Sequence, residues 1–443
     1  MAKSRIETTY ICQQCQYQTK AWMGRCPECG SWNSLVETNI TPSPIARESQ
    51  KSFGESKIYS LSAIPQKDLE RVKTDFSELD HVLGGGIVGG SVVLVAGEPG
   101  IGKSTLLLQV ADSVARGQKA PVLYVSGEES ARQIKLRADR MGINNEQILI
   151  LPENNIESIL SHISATKPCF IIVDSIQTMF TDALTGVAGS VGQVRESASA
   201  ILRLVKSEHI PTFIIGHVTK EGTVAGPKVL EHIVDVVLLL EGDLFHNYRI
   251  VRTSKNRFGP TSEVGIFEMK NEGMVEVKNP SQFFLNENKE NTPGSVVVAT
   301  LEGERPILAE IQALVAPTSL AMPRRTAVGI DYNRVVVLAA VLSKRLGLNI
   351  GNSDIYVNVV GGLKLREPSI DLAICLAIIS SLKNKPIDAG TVVFGEVGLL
   401  GEVRKVSRSD KRIQESKRLG FTKFITSDTI VNLNQAVKQA FSD

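Results

Sequence analysis

Between about residues 60 and 270 the chain alternates short, unbroken apolar runs with longer stretches of helical periodicity. The runs read SVVLVAG, VLYVSG, ILILP, CFIIVDS, TFIIGHV and DVVLLLEG. A strand with one wet face alternates apolar and polar residues, whereas these are apolar at nearly every position, so both their faces are covered. Helix-length segments separate the earlier runs, and strand and helix in repetition predict a parallel sheet with helices on both sides. This is an α/β core.

The pattern breaks twice. Residues 41–57, TPSPIARESQKSFGESK, are rich in Ser, Pro and charge without an apolar period, and predict a linker over 41–59 behind a small module at 1–40. Residues 271–293, NEGMVEVKNPSQFFLNENKENTP, turn polar and Asn/Glu-rich and predict a second linker over 273–292. Beyond it, SVVVATLEG, alternating strands around RRTAVGID, and helices at VVVLAAVLSKRLG and DLAICLAIISSL predict a mixed α and β domain over 293–443. No internal repeat is present in the sequence.

With 443 residues, 42% of them hydrophobic and 22% charged, the chain can build two or three domains with ample cores. A formal net charge of +2 means that any nucleic-acid surface is a local patch. No uncharged apolar run approaches the roughly 20 residues of a membrane span, and the start MAKSRIETTYICQQC lacks the apolar core of a secretory signal. The expected location is the cytoplasm, with no membrane contact.

Four of the six cysteines fall within 18 residues. Cys12 and Cys15, then Cys26 and Cys29, form two CxxC knuckles separated by ten residues, a spacing that can close a tetrahedron of thiolates around Zn²⁺. So small a segment has little core, and metal binding would supply its folding free energy. A redox pair or disulfides are the other readings, and a reducing cytoplasm opposes disulfides. Trp22 and Trp32 flank the second knuckle; packing on the module is the expected role and stacking on a base the alternative. Cys169 and Cys375 lie in apolar runs and are expected to be core thiols.

The segment Gly97-Glu98-Pro99-Gly100-Ile101-Gly102-Lys103-Ser104, followed by Thr105, fits G-x-x-x-x-G-K-[ST] and lies between the run SVVLVA and the helical stretch TLLLQVADSVA. There, backbone N–H groups of the loop and of the helix N-terminus cradle phosphates, Lys103 reaches the β and γ oxygens, and Ser104 ligates Mg²⁺. ATP and magnesium are the implied ligands. Asp174 ends the strand CFIIVD, the form in which a carboxylate holds the magnesium shell; a turn-capping Asp is the bland reading. Glu128 and Glu129 end VLYVSGEE, where adjacent carboxylates suit a base that orients attacking water, or alternatively cap the helix that follows. His217 ends FIIGH, as a contact to the γ-phosphate or as a structural histidine.

A basic stretch remains, Arg-Thr-Ser-Lys-Asn-Arg-Phe-Gly-Pro at 252–260, some 150 residues past the phosphate loop. Taken in order, TDFSELDHVLGGGIVGGSVVLVAGEPGIGKST, YVSGEE, FIIVDS, GHVTKEG and SKNRFG, behind a four-cysteine module, closely resemble the RadA (Sms) family of bacterial DNA-repair ATPases over essentially the whole chain. LGGGI…GEPGIGKS alone would also fit KaiC-type relatives; the cysteines and KNRFG are more specific. The resemblance implies a RecA-like P-loop ATPase core over 60–272, an N-terminal zinc-binding module and a C-terminal α+β Lon protease-like domain. It also implies a DNA-dependent ATPase that forms a homo-oligomeric ring, a hexamer, on single-stranded DNA, drives branch migration of recombination intermediates, and works with the RecA recombinase.

Carried over by motif, the resemblance makes Lys103 and Ser104 the phosphate-loop pair, Asp174 the magnesium carboxylate, Glu128 the glutamate that activates water, and His217 a polar sensor. Lys255, Asn256, Arg257, Phe258 and Gly259 match the family's KNRFG motif, whose cations in RecA-like assemblies reach the neighbouring subunit's ATP; a solvated cationic turn is the alternative. TDALTGVAGSVGQVRE, with Arg195, and KEGTVAGPKVLEH, with Lys220 and Lys228, would line the DNA path, Gly-rich and sparsely cationic as backbone-holding loops are.

The third domain resembles the proteolytic domain of Lon. In GGLKLREPSIDLAICLAIISS, Ser369 stands in the place of Lon's catalytic serine, but in GEVGLLGEVRKVSRSDKRI the lysine position falls on Asp410, and Lys411 one residue on is turned by about 100° on a helix. Ile370-Asp371 also replaces a usual glycine. A serine without a proton acceptor is a poor nucleophile, so the domain is expected to serve assembly and DNA contact, with Arg305, Arg324, Arg325 and Arg334 as candidate phosphate contacts. An ATP-dependent Lon-like protease and a KaiC-like regulatory ATPase without DNA are the rival functions.

Overall fold

The computed structural model describes residues 7–12, 18–19, 21–28, 30, 32, 34–40, 71–217, 227–242, 248–277, 279, 281–285, 292–319 and 322–441. Cys15, Cys29, Lys220 and the linker expected at 41–59 lie outside them. The chain divides into two compact units, one ending at Glu276 and the other made mainly of residues from Val277 onward.

Near the N-terminus, β1 (Glu7–Cys12), β2 (Gln18–Thr19) and β3 (Leu35–Ile40) form an antiparallel sheet in the order β2-β1-β3. A small apolar cluster of Cys12, Cys26 and Leu35 brings one cysteine of each knuckle together. Trp22 and Trp32 do not pack as expected. They are 58% and 73% exposed, and the guanidinium of Arg25 lies over the Trp32 ring, because so small a module has no interior wide enough for two indoles.

The larger sheet follows a two-stranded ribbon of β4 (Arg71–Val72) and β5 (Ile87–Val88) around helix α1 (Ser77–Val82). Its strands are β6 (Val92–Gly97), β7 (Val122–Ser126), β8 (Ile148–Pro152), β9 (Phe170–Asp174), β10 (Thr212–His217), β11 (Val236–Gly242), β12 (Tyr248–Asn256), β13 (Val264–Lys270) and β14 (Gly273–Glu276), in the order β14-β13-β12-β11-β6-β10-β9-β7-β8. Helices α2 (Lys103–Gly117) and α3 (Ala131–Arg140) cover one face, α4 (Ile156–Thr166) and α5 (Val191–Ser207) the other. Each central strand feeds both cores: Val93, Val95, Phe170 and Ile172 point to α2 and α3, while Val92, Leu94, Ile171 and Val173 point to α4 and α5. Most positions therefore bury an aliphatic or aromatic group, the larger ones each contributing about 1.5–3 kcal/mol.

Two expectations are corrected. The sheet is mixed rather than wholly parallel, since β12 runs antiparallel to β11. Only residues 243–247 separate them, too few for the crossover that a parallel return demands. The linker expected from residue 273 begins later, because Gly273–Glu276 is a strand paired to β13 across the tight Asn-Glu turn at 271–272. Buried Met274 and the amide of Gln109, which bonds both N and O of Met274, fix that strand to α2.

After the short helix α6 (Ser281–Phe284), the second unit holds a six-stranded sheet. Its strands are β15 (Ser295–Glu302), β16 (Arg305–Pro317), β17 (Arg325–Val328), β18 (Ser353–Val359), β19 (Thr391–Phe394) and β22 (Lys423–Thr426), in the order β17-β18-β16-β15-β19-β22. A hairpin of β20 (Glu396–Val397) and β21 (Val403–Arg404), and helices α7 (Tyr332–Leu346), α8 (Asp371–Lys383), α9 (Ser409–Arg418) and α10 (Leu433–Phe441), complete it. Helix α8 is apolar all round and buried from Asp371 to Ser380 against β15 and β16, as such a helix must be. Cys375 is a core thiol as expected; Cys169 is half-buried. Among the described residues no helix is long and apolar enough to cross a membrane.

Candidate active site

The site lies at the C-terminal ends of the parallel strands. β6 enters the phosphate loop at Gly97, where a Cβ would stand 2.5 Å from the carbonyl of Leu240, so only glycine permits that approach. Gly100 and Gly102 have φ of +76° and +112°, a left-handed backbone that disfavours side chains. Gly102 caps α2 with no side-chain cap, and the first N–H groups of an α-helix have no partner within the helix, which suits them to an anion. Lys103 is buried, its Nζ donating to the carbonyls of Gly97 and Glu98, each at 2.9 Å. Burial lowers its pKa to about 8, against the opposing pull of the Asp174 and Glu128 carboxylates. Ser104 is half-buried beside it and Thr105 buried; Glu98, Pro99 and Gly100 are exposed at the loop crest, and Ile101 is buried beneath.

Asp174 ends β9, and its Oδ2 accepts from the Tyr124 hydroxyl at 2.5 Å. Tyr124 is fully buried on β7, where burial and the Asp174 charge push the phenol well above its ordinary value and keep it a donor. The sequence reading missed Tyr124. Its signal was a polar-tipped ring in an otherwise aliphatic strand, since a buried tyrosine needs a partner for its hydroxyl.

Glu128 and Glu129 separate. Glu129 turns away to an ion pair with Arg137 on α3. The Oε1 of Glu128 accepts from the Ser175 hydroxyl at 2.5 Å and faces His217 Nε2 at 3.4 Å. The hydrogen bond with His217 holds Glu128 down at about 2, helped by Ser175 and Lys103 and opposed by burial. Capping of the following helix falls instead to Ser130, in a reciprocal box with Gln133. The His217 Nδ1 is buried without a hydrogen-bond partner among the described residues, and its carbonyl accepts from the Gln177 amide at 3.3 Å. Lys103, Glu128, Asp174 and His217 thus converge at the mouth of one loop. The chemistry of this set suits a magnesium–triphosphate: a cation and helix N-terminus for phosphate, a carboxylate for the metal shell, and a second carboxylate open to water.

Lys255 and Arg257 do not join them. Asn256 pairs with Val236, which pairs with Val93, whereas Gly97 lies opposite Leu240. The basic motif therefore sits toward the start of β6 and the phosphate loop at its end, about 13 Å away at the rise of a β-strand. Lys255 Nζ donates to the carbonyls of Glu231 at 2.6 Å and Val234 at 2.8 Å, and Arg257 donates to Asp235 at 3.2 Å. Asn256 folds its side chain onto the Phe258 N–H at 2.8 Å, and Gly259 presses against Gly84, where a Cβ would stand 2.9 Å from the Gly84 Cα.

The cations expected on DNA are scattered. Arg195 is exposed on α5, rather than on a loop, and Lys228 is exposed in a single 3₁₀ turn at Pro227–Val229. In the second unit Arg324 is exposed and Arg305 half-buried. Arg325 is committed to the carbonyls of Ser353 and Ile350, and Arg334 to buried Asp371, so those two guanidinium groups serve the fold. Ser369 is buried, its hydroxyl donating to Glu367 at 2.8 Å, and the residue facing it across α9 is neither Asp410 nor Lys411 but Arg412.

The AAA domain family matches residues 60–223, the rubredoxin metal binding domain matches 10–37, and the family of subunit ChlI of Mg-chelatase matches 322–429. The KaiC-like protein of Pyrococcus horikoshii superposes with a TM-score of 0.40 at 22% identity, covering 47% of this chain and 99% of that one. The DNA repair protein RadA of Bacillus subtilis is 50% identical over 428 residues, 96% of this chain and 93% of its own. RadA of Listeria monocytogenes is 49% identical over 95% of this chain and 92% of its own, and RadA of Streptococcus pyogenes serotype M6 is 51% identical over 96% and 92%. Similarity at this level, spanning the metal-binding module, the ATPase core and the third domain together, places the chain in the RadA family of DNA repair proteins.

Proposed function

We propose that this chain is a DNA-dependent ATPase of recombinational repair, a homo-oligomeric ring, hexameric, that moves on single-stranded DNA in the cytoplasm. It drives branch migration of the branched intermediates made by the RecA recombinase. Zn²⁺ is held by Cys12, Cys15, Cys26 and Cys29 as a structural ion, a role that the meeting of Cys12 and Cys26 in one cluster supports.

ATP binds along Gly97–Thr105. Lys103 and the N-terminus of α2 take the phosphate charge, and Ser104 and Asp174 hold the magnesium shell. Magnesium, when bound, supplies neutralisation of the β and γ oxygens. Glu128 remains ionised at any working pH because its pKa lies at about 2, and a carboxylate that acidic orients the attacking water more than it strips its proton. His217, touching Glu128, senses the γ-phosphate.

The observation that carries the ring reading is the position of KNRFG. Lys255 and Arg257 lie at the opposite end of β6 from their own phosphate loop, so they serve phosphate chemistry only in a neighbouring subunit. Hydrolysis then depends on assembly. The third domain acts in assembly and DNA contact without proteolysis, with Arg305 and Arg324 as its candidate phosphate contacts alongside Arg195, Lys220 and Lys228 of the core. The test is ATP turnover with and without single-stranded DNA: stimulation is expected, and equal rates would remove the DNA-dependent reading in favour of a regulatory ATPase.

A further inference from the structure

Both cations of the KNRFG motif are held by residues 231–235, and helix α5, which begins beside a stretch expected to line DNA, reaches the same place through Lys206. Lys255 is held by the carbonyl of Glu231, within the segment 220–232, and by that of Val234 just past it. Arg257 is held by Oδ1 of Asp235, and the same oxygen accepts from Lys206 Nζ at 3.0 Å. Asp235 is buried, with side-chain exposure of 4%, and its other oxygen accepts from the backbone of Val92 at 3.1 Å, at the root of the strand that ends in the phosphate loop. The carboxylate is therefore fixed, while Lys206 and Arg257, 42% and 52% exposed, are free to redistribute on it.

Lys206 stands in the last turn of α5. The first turn of that helix carries Gln193, a buried amide that grips the glycine-rich residues before it. Its Oε1 accepts from Thr181 N at 2.8 Å, and its Nε2 donates to the carbonyls of Leu184 at 2.8 Å and Thr181 at 3.2 Å. Residues 181–190 are thus tied to one end of a helix whose other end, about 25 Å away at the rise of an α-helix, touches Asp235. A packed helix transmits displacement along its axis because its interior hydrogen bonds leave it little to absorb.

We propose that Lys206 is a positioning residue that couples DNA held at residues 181–190 to the aim of Arg257. Its ammonium neutralises Asp235, so Arg257 is held weakly enough to leave for a neighbour's phosphate; with Lys206 drawn away, Asp235 keeps Arg257 for itself. Movement of α5 on DNA sets which of the two prevails. This rests on the reading of Arg257 as acting in trans and of residues 181–190 as a DNA segment. Neither Lys206 nor Asp235 belongs to the KNRFG motif, and a lysine at the end of a helix gives no sign of this role until the fold sets it beside Arg257.

The test is the ratio of ATP turnover with single-stranded DNA to turnover without it, measured on the full chain, beside the affinity for a fluorescein-labelled oligothymidylate. Lys206→Met is expected to bring the ratio toward one while binding of the oligonucleotide is retained, and Lys206→Arg to keep it near the wild-type value. A ratio in Lys206→Met equal to that of wild type, including the case in which both rates fall together, would overturn the coupling and leave the trans role of Arg257 standing. Loss of oligonucleotide binding in Lys206→Met would overturn it too, by making Lys206 a DNA contact. A wild-type ratio of one would remove the DNA-dependent reading itself, and the coupling with it.

Discussion

Arg412 donates a guanidinium N–H to the hydroxyl of Ser369 at 3.2 Å. The arginine is wholly buried, paired with Glu367, bonded to the carbonyls of Ala299 and Ser407, and laid over the Phe394 ring. A guanidinium does not give up its proton in a protein, so Arg412 cannot accept one from the serine. Glu367, which accepts the serine's hydrogen bond, is partly buried yet held below its ordinary range by that same arginine, which makes it a weak base. The full chain is expected to leave casein intact with or without ATP. Arg412→Met should instead destabilise the second unit by about 3 kcal/mol, the cost of leaving a partly buried carboxylate unpaired, read as a lowered denaturation midpoint. Casein cleavage that depends on Ser369 would refute this account.

Glu128→Gln keeps the size and the hydrogen bond from Ser175 but removes the negative charge. Turnover should fall by about 10²–10⁴-fold while binding of a fluorescent ATP analogue persists. Glu129→Gln, which touches only the Arg137 pair, should alter turnover little.

Burial places Lys103 at about 8, below its unfolded value of 10.5. The fold therefore disfavours the cationic form, a cost present in full below about pH 8 and lost as the pH rises from there to 10.5, whereas phosphate binding needs the cation. Nucleotide affinity should be flat to about pH 7.5 and fall about tenfold per unit well above pH 8, as the free enzyme loses the proton that binding must restore. Fluorescent-nucleotide titrations between pH 7 and 9.5 measure it, and an unchanged affinity at pH 9.5 would contradict the assignment of Lys103.

Tyr124→Phe removes the donor to Asp174 and nothing else of size. The fold should lose about 0.5–1.5 kcal/mol, and the magnesium concentration for half-maximal turnover should rise, because Asp174 loses the bond that aims it. A magnesium titration that superposes on wild type would show the phenol to be structural alone.

If Lys255 acts in trans as proposed, Lys255→Ala and Lys103→Ala subunits each carry one intact half of the site. Mixed rings are expected to recover part of the ATPase activity that each variant lacks alone, since some interfaces pair an intact phosphate loop with an intact Lys255. Mixed rings of normal stability with no recovered activity would count against a role in trans.

The sequence alone determined the strands and the chemistry that needs only neighbours along the chain. Runs apolar at every position could settle nowhere but between two helical layers, and Gly97 to Ser104 required its strand and helix for reasons local to the glycines, the lysine and the helix end. The antiparallel return of β12 was legible only in the shortness of its connection, and the strand at Gly273–Glu276 only in an Asn-Glu-Gly turn hidden within a polar stretch. What tertiary structure decided were meetings between residues far apart in the chain. Tyr124 meets Asp174, Arg412 meets Ser369, and Lys206 shares with Arg257 a single oxygen of Asp235. Each is a buried or half-buried polar group whose partner is chosen by sheet register and helix packing, since a polar group taken from water must bond to whatever the fold brings within reach. Periodicity and spacing carry no trace of that choice.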